Sequence, residues 1–308
     1  MLRLTAAAAV IAELTFVGRF KWREALHPLT LMARAAAKLV CLRREADGFY
    51  AWAFACGVCA VGLASGAALH VLFRLTSLGW LMEAALVAVF LSQRSLFRHA
   101  DDVMSMLYSC GTQMAEHKLN TMIGRRLSEG NEHTICSATV LSLFENFNDA
   151  TFLPIFYYVS AGLPGLTFVK LVDLLDSMFG NRKCENASIA RYVAKLDDLV
   201  GGAPFVLISS AHWLVNKFRG MIGRHDRPLR FVSPKLWTIF AFAKAFDVRL
   251  DVAGAYPPKL RAAEVINGSG KPADATHVER AKLFINFATL ALLTSAFLGL
   301  IPRVSLSP

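Results

Sequence analysis

From Phe49 to Phe73 the chain carries no Asp, Glu, Lys or Arg, and it is rich in Gly and Ala. A run of this length matches the roughly 20 residues that cross a bilayer core as helix. Its small residues permit close approach of a neighbouring helix. Every backbone polar group must be satisfied within such a segment, so a helix is required. A short turn near Arg74–Ser77 leads into a second apolar run, Leu78 to Leu91, and the pair reads as a helical hairpin. Ala281 to Ile301 predicts a further span. Residues 2–17 predict a retained N-terminal membrane helix, with Glu13 facing protein or the interface and a basic flank rather than a cleavage site after it. Shorter apolar segments at 150–161 and 203–215 predict partial spans.

These spans alone do not account for the composition. The chain is 55% hydrophobic and 18% charged with a formal net charge of +10, against about 25% charged residues in a soluble domain. The balance is that of a membrane protein with sizeable polar loops. The basic residues cluster between apolar runs: Arg19, Lys21, Arg23, Arg34, Lys38, Arg43 and Arg44, and again from Lys217 to Lys235. That placement follows the positive-inside rule for cytoplasmic loops and argues against nucleic acid as partner. Six scattered cysteines give no disulfide framework. Cys56 and Cys59, although spaced C-x-x-C, lie in an apolar helix and read as small hydrophobes. Gly268-Ser269-Gly270-Lys271 lacks the upstream Gly of a phosphate loop and is followed by Pro272, so it is rejected.

His27-Pro28 starts a predicted helix, Pro being suited to a first helical turn. Ser95-Leu96-x-x-His99 opens an amphipathic one, with Met104, Leu107, Met114 and Leu119 as its core stripe. Helices are predicted near 135–148, 150–161, 164–179 and 187–199, with a break at Gly162-Leu163-Pro164-Gly165. Another is predicted over 236–256, followed by a polar linker at 266–277. The fold expected is all-α: one multi-pass membrane domain over 1–308, with amphipathic helices and loops facing the cytoplasm.

The chemistry concentrates between Ser142 and Leu199. Apolar runs there are interrupted by Glu145, Asp149, Asp173, Asp176, Asp197 and Asp198. Isolated acids in apolar surroundings cost several kcal/mol, so they are paired, hydrated or metal-bound. Taken singly, each reads as a helix cap or a solvated end. Taken together, they suggest a cation-binding or proton-handling site at a membrane or cleft surface. The basic-loop orientation puts that site on the cytoplasmic side.

An ordered set of motifs then resembles the CobD/CbiB family of adenosylcobinamide-phosphate synthases. The set runs His27-Pro28-x-x-Leu31-Met32-x-Arg34, Ser95-Leu96-x-x-His99-Ala100, Gly124-Arg125 and Ser142-Leu143-x-Glu145-Asn146-Phe147-x-Asp149. It continues with Pro154-x-Phe156, Gly162-Leu163-Pro164-Gly165, Lys170, Leu175-Asp176-Ser177-Met178-x-Gly180, Ala194-x-Leu196-Asp197-Asp198-Leu199 and Ser233-Pro234. The resemblance implies a cell-membrane ligase of cobalamin biosynthesis. Using ATP and Mg²⁺, it would join aminopropanol or its phosphate to the propionate carboxylate of adenosylcobyric acid.

On that resemblance Asp176, Asp197 and Asp198 are the candidates for Mg²⁺ and phosphate. Glu145 and Asp149 are candidate ligands, bases or amine-orienting groups. Lys170 and Arg125 would hold phosphate, Asn146 and Ser177 would contact substrate, and His27 or His99 would act as base or as capping or core histidines. Other enzymes of the corrinoid pathway are implied as contacts, alongside membrane lipid. The chain departs from the family pattern at Leu141, Arg126, Asp173, Gly201, Val206 and Lys235, where Glu, Asp, Asn, Asn, Arg and Asn are usual. A corrinoid-binding or transport protein without catalysis is the competing reading.

Overall fold

The computed structural model describes residues 1–15, 48–123, 127, 130–180, 188–202, 204, 235–251 and 265–302. The predicted helix after His27-Pro28, the segment 205–215 and the basic stretch up to 234 lie outside them. The described residues are overwhelmingly helical. Three helical stretches among them are long and apolar enough to cross a membrane: Gly48–Arg74, Gly79–Cys110 and Glu132–Phe179. The protein is an all-α membrane protein, with one small sheet that the sequence pattern did not reveal. It divides into two compact units.

The first unit comprises Met1–Ser95, Asp149–Val200 and Ala288–Pro308. It holds helices α1 (Leu2–Thr15), α2 (Gly48–Arg74) and α3 (Gly79–Phe90). It also holds α7 (Leu153–Gly180) and α8 (188–202). Helix α2 buries one stripe: Ala51, Ala55, Val58, Gly62, Gly66 and Phe73. These recur at three-, four- and seven-residue steps, so they form one face. Trp52, Val61, Leu63, Val71 and Leu72 are exposed around the rest of the helix, as suits a lipid-facing surface.

The buried stripe of α2 meets α7, and its glycines set the distance. A Cβ on Gly66 would lie 2.3 Å from Thr167 Oγ1 and 2.5 Å from both the Leu163 carbonyl oxygen and Pro164 Cα. Thr167 uses that proximity, its hydroxyl approaching the Gly62 carbonyl at 2.6 Å. Helix α7 is the interior element: from Leu153 to Val172 every residue is buried except Tyr157, Ala161 and Phe168. It is not one straight helix. Gly162 sits at φ 68°, ψ −152°, a conformation open only to glycine at little cost, and Pro164 follows. The predicted break is therefore real.

Glu13 faces protein, accepting the Arg94 backbone N–H at 2.9 Å, and the Arg94 guanidinium donates to the Leu14 carbonyl. Thr289 in turn donates to buried Gln93 at 2.9 Å.

The second unit comprises Leu96–Asn148 and Gly201–Phe287. The helix α4 (Gln93–Cys110) lies mainly in it, followed by α5 (Thr112–Ile123), α6 (Glu132–Phe147) and α9 (Lys235–Ala245). Val103, Met104, Ala115 and Leu119 form the buried stripe of α4 and α5, whereas Met114 is exposed, contrary to the expected core. Asn131 caps α6, its side chain accepting the Thr134 N–H at 2.9 Å. Phe144, Phe242, Phe246 and Phe284 cluster as the core, with Phe144 and Phe242 centroids 5.0 Å apart and Phe242 and Phe246 4.8 Å apart.

The helix predicted over 236–256 stops at Ala245. Asp247 adopts positive φ, and the chain enters strand β1 (Val248–Asp251). That strand pairs antiparallel with β2 (Val265–Ile266) and parallel with β3 (Lys271–Pro272). The alternating burial of Val248 and Leu250 carries the period of two that the helical reading overlooked. The rejected phosphate-loop sequence forms the connection from β2 to β3.

The expected polar linker contains a helix start. Asp274 caps α10 (Ala275–Phe297): its carboxylate accepts the backbone N–H groups of Thr276 at 2.8 Å and His277 at 3.2 Å. His277 Nδ1 reciprocates toward the Asp274 N–H at 3.3 Å, a capping box with His in the place of Glu. Some burial opposes ionisation of Asp274. The hydrogen bonds from Thr276 and His277 outweigh it and hold the carboxyl below its ordinary value.

A group with a lowered folded pKa stabilises above its unfolded pKa and loses that contribution as pH falls through the folded one. Asp274→Ala is therefore expected to cost about 1 kcal/mol at neutral pH. As pH falls through the lowered folded-state pKa of Asp274 the difference should shrink, because the wild-type carboxyl then becomes protonated in both states. Unfolding midpoints of both proteins across pH 7 to 2.5 check this.

Candidate functional site

Lys170 and two of the acids that the sequence pattern singled out, Asp149 and Asp173, meet at one irregular turn. Between α6 and α7, Asn148–Phe152 form a single π turn, the widened helical geometry that recurs at functional positions. In the first unit, the turn presents the Asp149 carbonyl to Lys170. Lys170 Nζ donates to that carbonyl at 3.1 Å and to Asp173 Oδ2 at 2.7 Å. The lysine side chain is 5% exposed and that of Asp173 is 29% exposed. An ammonium taken from water needs such partners. Among the described residues, these two acceptors hold an ammonium that carries three N–H donors.

Asp173 stood out in the sequence as one of the six carboxylates interrupting the apolar runs and as a departure from the family pattern. The structure makes it the ion partner of Lys170, one helical turn away. The i, i+3 spacing of Lys and Asp was the available signal. Asp176 and Ser177 continue the same face of α7 by one further turn, half-buried and exposed respectively.

Helix α8 is held to α7 and α2 by an apolar cluster of Ile189, Val193, Leu171, Leu175, Phe179, Ala51 and Val58. The Tyr157 hydroxyl ties the far end of α8 by donating to the Val200 carbonyl at 2.8 Å. That anchoring fixes Asp197, 8% exposed, against the first unit, while Asp198 is exposed.

The other candidates divide as follows. Glu145 and Asn146 occupy the last turn of α6 in the second unit. Asn146 donates to the Ser142 carbonyl at 2.8 Å and to its hydroxyl at 3.1 Å. His99 is exposed on α4. His27 and Arg125, and the departures Arg126 and Val206, lie outside the described residues. Leu141, where the family usually has Glu, is 1% exposed on α6. A packed leucine there leaves no space for a solvated acid.

Among the described residues, no group of three or more His, Cys, Asp or Glu side chains is positioned to hold a metal ion. Mg²⁺ does not demand one. It typically takes one or two carboxylates together with phosphate oxygens and water. The all-oxygen donors Asp176, Asp197 and Asp198 suit that ion in kind.

This arrangement defines a helical membrane protein with a lysine–carboxylate site at the π-turn joint of its central helix. A family model described as CobD/Cbib protein matches residues 6–284, and the chain belongs to that family. Among similar proteins, Cobalamin biosynthesis protein CobD of a Sinorhizobium species is 31% identical over 288 residues, covering 88% of this chain and 89% of the relative. The protein of the same name from Rhizobium meliloti is 28% identical over 293 residues, covering 90% and 89%. Probable cobalamin biosynthesis protein CobD of Methanothermobacter thermautotrophicus is 30% identical over 186 residues, covering 58% and 62%. No solved structure matches the chain.

Proposed function

We propose that the protein acts in cobalamin biosynthesis as an acid–amine ligase, joining aminopropanol or its phosphate to the propionate carboxylate of adenosylcobyric acid. The family membership and the names of the relatives support the pathway. The observation that carries the chemistry is Lys170, a buried ammonium held by the Asp149 carbonyl and the Asp173 carboxylate, on the same helix face as Ser177.

A carboxylate is a poor acyl donor because an attacking amine would have to expel oxide. ATP supplies the phosphoryl group that makes that oxygen a leaving group, and Mg²⁺ offsets the phosphate charge. One or two of Asp176, Asp197 and Asp198 would hold the ion, with phosphate oxygens and water completing its shell. Lys170 would place an N–H on a phosphate oxygen, with Arg125 as a second cation. Glu145 or Asp149 would orient the amine and take the proton it loses on acylation. Ser177 and Asn146 would contact substrate, and His27 or His99 would serve as an alternative base. This reading places the site on the cytoplasmic side of the cell membrane, where ATP is.

A second reading rests on Asp173. By pairing with Lys170 it neutralises a charge that would otherwise be offered to phosphate, which favours corrinoid binding or transport without catalysis.

The test is amide formation in purified membranes given adenosylcobyric acid, Mg-ATP and either amine, with the adduct detected by mass spectrometry. Product is expected, and Asp197→Asn, nearly isosteric and so compatible with its buried position, should reduce it at least 100-fold at unchanged protein level. Corrinoid binding without product from either amine would select the second reading.

A further inference from the structure

His133, the second residue of α6, belongs to no motif in the sequence, yet both of its ring nitrogens are held. Nε2 lies 2.8 Å from Asp251 Oδ2 on β1. Nδ1 lies 2.8 Å from the backbone nitrogen of Ala273, the residue between β3 and the Asp274 cap of α10. All of these residues are in the second unit. A backbone N–H only donates, so Nδ1 is the acceptor and the proton of a neutral ring sits on Nε2, where it donates to the Asp251 carboxylate. The hydrogen-bond network thus assigns a neutral imidazole in one tautomer. Such a ring has no nitrogen left for proton transfer to a substrate.

The Ala273 carbonyl oxygen stands 3.4 Å from the same Nδ1. A proton arriving on Nδ1 would meet the Ala273 N–H donor to donor, a contact that cannot persist. The carbonyl is an acceptor one small shift away. One residue therefore offers the ring two partners, and the protonation state selects between them. Nε2 keeps its bond to Asp251 in either state.

The surrounding charges are of both signs. Asp251 compensates an imidazolium. Arg249, with Nη2 3.3 Å from Nε2 and Nε 3.4 Å from Asp251 Oδ1, competes for the same carboxylate. Lys271 and Asp274 flank Ala273 in the chain, and Asp274 is bonded to His277. On α6 itself Glu132 precedes the ring and the buried thiol of Cys136 lies one turn on. From α5, Glu116 stands beside Gly130 at the entry to α6. Helix α9 meets α6 at Phe144, about three turns along. The His133 side chain is 17% exposed and that of Asp251 25%, so protons exchange with solvent.

We propose that His133 is a proton-operated latch between α6 and the β3–α10 junction. Neutral, it accepts the Ala273 N–H; protonated, it releases that N–H and turns to the carbonyl. The latch is separate from the proposed ligase site and does not rest on that reading.

The experiment uses the full-length protein in detergent micelles, labelled with ¹⁵N at histidine and alanine. NMR follows the His133 ring nitrogens and the Ala273 amide from about pH 8 to pH 5, the range in which histidines titrate. Their signals are assigned by loss in His133→Asn and Ala273→Gly. At the alkaline end, Nδ1 is expected without a proton and Nε2 with one. On acidification Nδ1 should gain a proton. With the same midpoint, the Ala273 amide should lose at least about fivefold of its protection from hydrogen exchange, after correction for intrinsic rates. In His133→Asn, whose side-chain oxygen stands near the place of Nδ1 and accepts at every pH, that protection should stay constant.

A proton on Nδ1 at the alkaline end overturns the proposal. So does an Nδ1 that gains no proton over the range, or one that gains it while the Ala273 amide stays protected. Each of these is read in wild type and needs no variant to fold. Loss of protection that persists in His133→Asn also overturns it, by assigning the effect to a neighbouring carboxylate.

Discussion

Lys170→Met is expected to destabilise the protein by about 3 kcal/mol, the low end of the cost of breaking a buried ion pair. The methionine fills most of the space, so packing is preserved. What is lost is the donor to two acceptors, the Asp149 carbonyl and the Asp173 carboxylate. Asp173 is partly exposed and water can reach it, which places the effect at the low end. Adding Asp173→Asn should restore at least ~1 kcal/mol, because the amide removes the uncompensated charge. Equilibrium unfolding of the two single variants and the double variant in detergent gives the cycle. Independent, additive effects would show that Lys170 and Asp173 do not act as a pair. Product formation in the double variant is the more discriminating readout. If Lys170 holds phosphate, restored stability will not restore product.

The second large effect lies between α2 and α7. Gly66→Leu places a side chain where Thr167 Oγ1, the Leu163 carbonyl and Pro164 Cα already stand within 2.5 Å of its first carbon. Two of those three are backbone atoms of the interior helix and cannot rotate away. The expected loss is on the order of 4 kcal/mol or more, the range reserved for severe overpacking, and the protein should fail to accumulate in membranes. Gly57→Leu is the matched control. Nothing lies within 4 Å of a Cβ there, so the same residue change on the same helix should be tolerated. Equal membrane levels of the two variants would contradict the packing described for α2.

The glycine spacing of α2 and the break at Gly162-Leu163-Pro164-Gly165 were legible in the sequence because each depends on a residue with unique backbone or steric properties. Local chemistry of that kind survives transfer from sequence to fold. The strand Val248–Asp251 was not legible. Four residues following a helix carry too little periodicity, and its partners are two-residue strands whose pairing is non-local. Met114 failed as a core residue for a related reason. Gly111, at φ 84°, ends α4 and begins a new helical phase, so a stripe counted across it loses register.

At the candidate site, the sequence marked Asp176 and Asp197 as polar intrusions in apolar helices, and Lys170 through the family resemblance. It did not reveal that Asp149 meets Lys170 through its backbone carbonyl. That contact depends on the π turn, whose extra residue has no compositional signature. Nor did it mark Glu83, a single acid past the first turn of α3, because only the fold brings the Tyr158 hydroxyl to its carboxylate.

The break at Gly162 has a mechanical consequence. A continuous helix transmits a push along its whole length, since each turn is bonded to the next. Here the ladder is interrupted by a left-handed residue and a missing N–H two residues later. The stretch before the break carries Tyr158 and Ser160, and the stretch after it carries Lys170, Asp173 and Asp176. The glycines of α2 wedge against Leu163–Phe168, so the second stretch is held by packing from its first turn, and a strain entering before Gly162 has no unbroken ladder by which to reach Lys170.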